Sequence, residues 1–255
     1  MRRPTRPQAP TREATKPDAM PRAWPLVAGL GLAISPGPAL AQSYQCSTPP
    51  SVAVPGIARD APSRTMPVSG YVLSLSWSPE FCRTRIDSPR HARQCSGRSG
   101  SFGLIVHGLW PQGARSWPQW CPARRARPTG AQLARQMCVQ PSARLAMRQW
   151  AKHGSCMVDR PDLYFRITRI LHRSLDWPDL DRLSRKEGLT AGDIREAWIE
   201  ANTNWRREMI SVQLNERGWL EEIRLCYGRD WLPAACRRDA RGAADDAPAK
   251  IWRGL

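Results

Sequence analysis

Ser101-Phe102-Gly103-Leu104-Ile105-Val106-His107-Gly108-Leu109-Trp110-Pro111 is the stretch on which the reading of the fold turns. It reads as a β-strand from Phe102 to Val106 that ends by presenting His107 ahead of a glycine and a Trp-Pro stop. It is answered by Arg148-Gln149-Trp150-Ala151-Lys152-His153-Gly154-Ser155-Cys156, which reads as the last turns of a helix closed by Gly154. The chain has four histidines, His91, His107, His153 and His172. Two of them sit at element ends in these stretches, one beside a lysine.

Imidazole exchanges a proton near neutral or mildly acidic pH without a large environmental shift. A neutral and a protonated imidazole together supply a general base and a general acid, as phosphodiester transfer in RNA requires. The base deprotonates the ribose 2′-OH, the acid protonates the leaving 5′-oxygen, and a lysine offsets charge on the phosphoryl oxygens. That chemistry needs no metal or other cofactor. On the second stretch Gln149, Lys152 and His153 share one helical face, at i, i+3 and i+4. Arg148 and Lys152 are like-charged i, i+4 neighbours, a conflict that an anion between them removes. The expected anion is a substrate phosphate, and the expected geometry has His107 and His153 straddling one phosphorus.

Residues 1 to 41 read as a targeting segment: a short apolar run, Leu26 to Ile34, has arginine upstream and the small-residue pattern Ala39-Leu40-Ala41 after it. The run is too short for a membrane span. Met20 begins a more ordinary signal peptide than Met1, and a twin-arginine signal is the weaker alternative because Arg2-Arg3 lies far from the run. A periplasmic or secreted location is the expectation. The full chain carries a net charge of +17; removing that segment, with its six basic and two acidic residues, leaves +13. Such a surplus favours a polyanionic partner, through counterion release if that partner is RNA.

About 214 residues then remain, enough for one domain with a sizeable core. Residues 42–69 read as a Pro-rich extended lead-in on the surface, 70–236 as the domain, and 237–255, rich in Ala, Asp and Arg, as a mobile tail with little to bury. Within the domain, Tyr71 to Trp77 reads as a strand and Ser142 to His153 as a helix with Leu145, Ala146 and Trp150 available to the core. Pro161 to Leu175 reads as a second helix with Leu163, Ile167, Ile170 and Leu171 on one face. Thr190 and Asp193 form a capping box opening a third helix toward Ala201. Strands follow near Met209 to Leu214 and Trp219 to Tyr227. His91 reads as a solvated loop residue and His172 as a packing or surface residue. The loop Gly113 to Pro128 carries Trp117, Trp120, Arg124, Arg125 and Arg127: it either stacks bases and contacts phosphates or packs its tryptophans near Cys121. Eight cysteines, an even number in an exported chain without a Cys-x-x-Cys, favour a disulfide framework over zinc.

His107-Gly108-Leu109-Trp110-Pro111 and Trp150-Ala151-Lys152-His153-Gly154-Ser155-Cys156 resemble the two active-site segments of the ribonuclease T2 family, the secreted base-nonspecific acid ribonucleases. Tyr71-Val72-Leu73-Ser74-Leu75-Ser76-Trp77-Ser78-Pro79-Glu80-Phe81-Cys82 is similar to the strand that precedes the first. The resemblance covers about residues 70 to 236. It implies an α+β fold: a central antiparallel sheet carrying His107, flanked by helices, one of which carries His153, in a single disulfide-linked domain. It implies His153 as general base, His107 as general acid, Lys152 as transition-state stabiliser and Trp110 as part of the phosphate site. It also implies the disulfides Cys121–Cys156, Cys82–Cys95 and Cys226–Cys236, which leaves Cys46 with Cys138. Arg148-Gln149 stands where the family usually has His-Glu. Gln149 can donate to a phosphoryl oxygen but cannot hold a negative charge or tune a neighbouring histidine, and Arg148 keeps a cation for phosphate. Ser76 replaces a common Gln, which bears on base recognition.

The reading that follows is an exported, monomeric endoribonuclease acting on single-stranded RNA through a 2′,3′-cyclic phosphate, sparing DNA for want of a 2′-OH. The rival is a family member impaired by Gln149 that binds RNA or another polyanion without turnover; the intact His107, Lys152 and His153 argue against it. A disulfide-rich inhibitor or surface-binding protein with incidental histidines is a third reading, resting on the cysteine count alone.

Overall fold

The computed structural model describes residues 43–122 and 126–254. The targeting segment expected over 1–41 lies outside the described residues, as do Arg124 and Arg125. In chain order the elements are β1 (Gly70–Trp77), α1 (Ser78–Cys82), α2 (Ala92–Cys95), β2 (Leu104–Gln112), α3 (Gly130–Ala134), α4 (Ala143–Lys152), α5 (Pro161–Arg173), α6 (Leu180–Leu183), α7 (Ala191–Ala201), β3 (Ile210–Leu214) and β4 (Leu220–Tyr227). The strands form one antiparallel sheet in the order β2-β1-β4-β3. The fold is α+β, with helices and strands sharing one core and four disulfides, Cys46–Cys138, Cys82–Cys95, Cys121–Cys156 and Cys226–Cys236.

Period-2 alternation along β1 decides the two faces of the sheet. Leu73, Leu75 and Trp77 are buried in the main core with Ile223 and Leu225 of β4, Ile210 and Val212 of β3, and Trp150, Phe165 and Trp198 from the helices. Each such side chain contributes roughly 1.5–3 kcal/mol on burial. The alternate residues turn the other way: Val72 packs with Cys226, Cys236 and Trp110, Ser74 donates to Glu222, and Ser76 lines a cleft. One face holds the protein together, and the other is free to carry chemistry.

β2 does not stop at Val106, as the Trp-Pro pair suggested, but runs through His107 and Pro111 to Gln112. It is the sheet's edge strand, and its outward backbone groups are met by neighbours other than a strand. Val106 N donates to Val139 O at 2.9 Å, Gln140 Nε2 to His107 O at 3.1 Å, and the Tyr164 hydroxyl bonds both Leu109 N and Leu109 O. A proline lacks a ladder donor, which an edge strand tolerates.

α4 opens on Ser142, whose hydroxyl accepts from Leu145 N at 3.2 Å, and buries Ala146, Met147, Gln149 and Trp150. Leu145, expected in the core, is half-buried at a cleft wall instead. α5 is rotated from the expected face: Tyr164, Phe165, Thr168, Leu171 and His172 are buried, whereas Ile170 is exposed. Both stripes have helical spacing, and the one containing the Tyr164 hydroxyl wins because that hydroxyl closes the edge of β2. The Thr190–Asp193 capping box opens α7.

The tail needs a larger correction. Ala249 and Ile251 are buried, Ala243 N bonds Val212 O, Leu220 N bonds Lys250 O, and Trp77 Nε1 donates to Trp252 O at 2.6 Å. Its organiser is Arg195 of α7, itself buried, which donates to the carbonyls of Arg241 and Ala243 and to Asp245. Composition read the tail as having little to bury because its backbone carbonyls, rather than its side chains, make most of these contacts. Among the described residues no helix is long and apolar enough to cross a membrane.

Candidate active site

His107 owes its position to an irregularity in the sheet. Across β1 and β2, Ser74 pairs with Gly108 and Leu75 with Val106, so His107 is an extra residue with no partner on β1. In an unbroken strand His107 and Trp110, three apart, would point to opposite faces. The bulge resets the alternation, and both side chains reach the open face; their rings meet edge to face with centroids 5.2 Å apart.

Glu222 of β4 completes the histidine. In register it stands opposite Ser76 of β1, with Arg224 opposite Ser74. The small serines between β2 and β4 leave room for His107 and Glu222 to meet across the middle strand. His107 Nδ1 lies 2.5 Å from Glu222 Oε1, while Glu222 Oε2 accepts from Ser74 Oγ at 3.0 Å and from Arg224 Nε at 2.9 Å. Burial pushes the Glu222 carboxyl up, but the bond and charge of His107 and those of Arg224 together hold it at about 2. Arg224 also sits over the Trp110 ring, 5.3 Å from its centroid. Neither Glu222 nor Arg224 is singled out by the sequence, where two charges on the open face of an alternating strand look like ordinary solvated residues.

The end of α4 supplies the second half. Trp110 Nε1 donates to Gln149 Oε1 at 2.7 Å, so the amide oxygen is committed and the NH₂ is the donor left for a ligand. Gly108 permits this: a Cβ there would lie 2.2 Å from Gln149 Oε1 and 2.3 Å from Trp110 Nε1. His153, the C-cap of α4, lies 5.7 Å from the Trp110 ring between centroids. Both imidazoles therefore neighbour one indole. Gly154 is not a left-handed stop; a Cβ there would meet Trp150 Cε3 at 2.6 Å and the Tyr164 ring at 2.8 Å, and the helix passes into a 3₁₀ turn over Gly154–Cys156. The glycine serves close packing at this point.

His153 is only 8% exposed, and its Nδ1 is sealed from solvent with no partner among the described residues. Burial first, then the charges of Lys152, His107 and Arg148, lower its pKa to about 3 against an opposing pull from Asp60. It is a neutral imidazole across the mildly acidic range.

The anion between Arg148 and Lys152 is the chain's own. Asp60, from the Pro-rich lead-in, accepts from Lys152 Nζ at 2.9 Å and Arg148 Nη2 at 2.5 Å on Oδ2, and from Trp120 Nε1 at 2.8 Å on Oδ1. The Lys152 bond leads, with Trp120 and the Arg148 charge adding to it over a smaller burial cost, and the carboxyl is held at about 2. Nothing in a lone acid among prolines signals such a role.

Two clefts meet at this constellation. One of about 790 Å³ is lined by His107, Arg148, Arg224, Ser76 and His91, and one of about 360 Å³ by Trp110, Lys152, His153, Arg224 and Trp117. His91, half-buried against Phe81, is thus a wall residue, and His172 is buried on Trp177 and lines neither cleft. The tryptophan loop divides between its two readings: Trp120 is buried, whereas Trp117 is 42% exposed at the smaller cleft with the Arg64 guanidinium 5.0 Å from its ring centroid. Arg127 donates to the Pro55 carbonyl at 3.2 Å.

The model of the Ribonuclease T2 family matches residues 69–236. The chain belongs to the Ribonuclease T2 family. A Haemophilus influenzae protein named as a probable ribonuclease is 31% identical over 183 residues, covering 67% of this chain and 62% of that protein. Ribonuclease I of Escherichia coli K12 is 30% identical over 208 residues, covering 64% and 76%. This chain therefore spans less than two thirds of the Haemophilus relative. Trichomaglin, an S-like ribonuclease, shares the T2 fold with a TM-score of 0.57 at 18% identity, covering 73% of this chain and 98% of that one.

Proposed function

We propose that this T2-family protein is an exported endoribonuclease that cleaves single-stranded RNA by transesterification, with His153 as general base and His107 as general acid. The observation that carries the reading is that folding gathers two imidazoles around Trp110, one buried and one bonded to a carboxylate, with a cation and an amide donor beside them. His153, kept neutral by burial and cationic neighbours, is fit to accept the 2′-OH proton; with Nδ1 sealed, Nε2 is the accepting atom. The 2′-oxygen bonds to the adjacent phosphorus as the bond from phosphorus to the 5′-oxygen breaks. His107 is committed through Nδ1 to the Glu222 carboxylate, which orients the ring and leaves Nε2 to deliver a proton to the departing 5′-oxygen. Lys152 and the Gln149 amide face charge that grows on the non-bridging oxygens, and Arg148 adds a cation for phosphate. The products are a 2′,3′-cyclic phosphate and a 5′-hydroxyl, and DNA, lacking the nucleophile, is not cut.

Export is supported by the targeting pattern of residues 1–41 and by a framework of four disulfides, each worth on the order of 2–4 kcal/mol in an oxidising compartment. The test is digestion of total RNA from about pH 4 to 8 with and without EDTA. Cleavage that resists the chelator, persists toward pH 4, and falls by about 10²–10⁴-fold in His107→Ala and in His153→Ala is expected. Tight RNA binding without cleavage at any pH would overturn it.

A further inference from the structure

Asp60 lies outside the family-matched region and is 38% exposed on its side chain, yet its carboxylate is bonded to both cations of α4. Its placement has supports besides those cations. Arg64 N and O pair with Gln119 O and N at 2.8 and 2.9 Å, Gln119 Nε2 donates to Pro62 O at 3.0 Å, and Arg64 bonds Ser116. The disulfide Cys121–Cys156 then fastens the same loop to the end of α4. The lead-in is therefore a strap sewn to the active-site loop just ahead of Trp120, and it presents Asp60 to the helix.

Charge makes the placement consequential. His153 stands among Lys152 and Arg148 of its own helix, His107 of β2, and Arg224, Arg237 and Asp239 around the smaller cleft. Of the nearby carboxylates, Glu222 is committed to His107 and Arg224, and Asp239 to Arg237. Asp60 is the one bonded to Lys152 and Arg148 among the described residues. An ammonium has three donors and a guanidinium five, so each cation can keep its bond to Asp60 and still offer donors to a phosphate.

Resting on the nuclease reading above, we infer that Asp60 is a positioning residue of the active site, which pins Lys152 and Arg148 in their phosphate-facing geometry and supplies negative charge beside His153 that Gln149 cannot. The alternative roles are a clamp for the strap alone, or an anion that merely competes with substrate.

Asp60→Asn, Asp60→Glu and the double variant Asp60→Asn/Gln149→Glu separate these. The double variant returns a carboxylate to the same helix, three residues from Lys152. In Asp60→Asn we expect kcat on RNA to fall about tenfold with a smaller change in KM, and the acid limb of the kcat/KM profile to move to lower pH. The Lys152 ammonium signal in a ¹H–¹⁵N spectrum, which depends on protons held in hydrogen bonds, should broaden away. Asp60→Glu should keep most of the turnover, and the double variant should regain part of the lost kcat. Unchanged kcat and an unchanged Lys152 signal, even with a lowered Tm, would overturn the proposal in favour of a clamp. A rise in kcat/KM with the acid limb unmoved would overturn it in favour of a competitor. Should the wild-type protein leave RNA uncut, the nuclease reading fails, and the ammonium spectrum still decides whether Asp60 pins Lys152.

Discussion

Glu222→Gln isolates the electrostatic work done behind His107, because the amide keeps the size of the carboxylate and an oxygen to accept from Nδ1. The Glu222 side chain is 13% exposed, and its carboxyl is held at about 2 against an ordinary 4.5. A depression of that size contributes about 3 kcal/mol to folding, at 1.36 kcal/mol for each tenfold in proton affinity. The sign follows from linkage: the unfolded chain takes up the proton first, so the contribution is full above pH 4.5 and is lost as pH falls toward 2. Between pH 5 and pH 3 the loss is about 2 kcal/mol. Urea unfolding followed by tryptophan fluorescence at pH 5, 4 and 3 measures it. Asp60 and the other carboxylates titrate in both proteins and cancel in the difference. The stability gap between wild type and Glu222→Gln should narrow by about 2 kcal/mol over that range, and turnover on RNA should fall about tenfold as the acid loses its charged support. A gap that stays constant with pH would refute the claim that the folded protein holds this carboxylate ionised through His107 and Arg224.

Gly108→Ala puts a methyl within 2.2–2.3 Å of the Gln149 and Trp110 atoms that bond each other; it should cost about 1–3 kcal/mol in urea unfolding and lower turnover more than substrate affinity, whereas wild-type stability would show that the pair can yield. Arg195→Ala removes the donor to Ile210 O and to two tail carbonyls, so a loss of about 2–4 kcal/mol is expected. Limited proteolysis should then cut within residues 237–252, and a resistant tail would show that Arg195 does not hold it.

The sequence by itself determined the pieces whose information is local. Helical spacing on Gln149, Lys152 and His153, the capping box at Thr190 and Asp193, and the alternation of β4 each concern residues a few positions apart, where backbone geometry alone sets direction. His107 and His153 were legible because they sit in two short, specific segments. Tertiary structure decided what depends on register and on partners distant in the chain. A bulge at one residue of an edge strand aims His107 and Trp110 at the same face, and pairing across β1 brings Glu222 to His107, 115 positions away. The tail is held by carbonyls gathered on Arg195, and Asp60 is bonded to Arg148 and Lys152, beside which the sequence pointed only to a substrate phosphate. A like-charged pair on a helix states that an anion is wanted; only the folded path of the chain says that the protein provides its own.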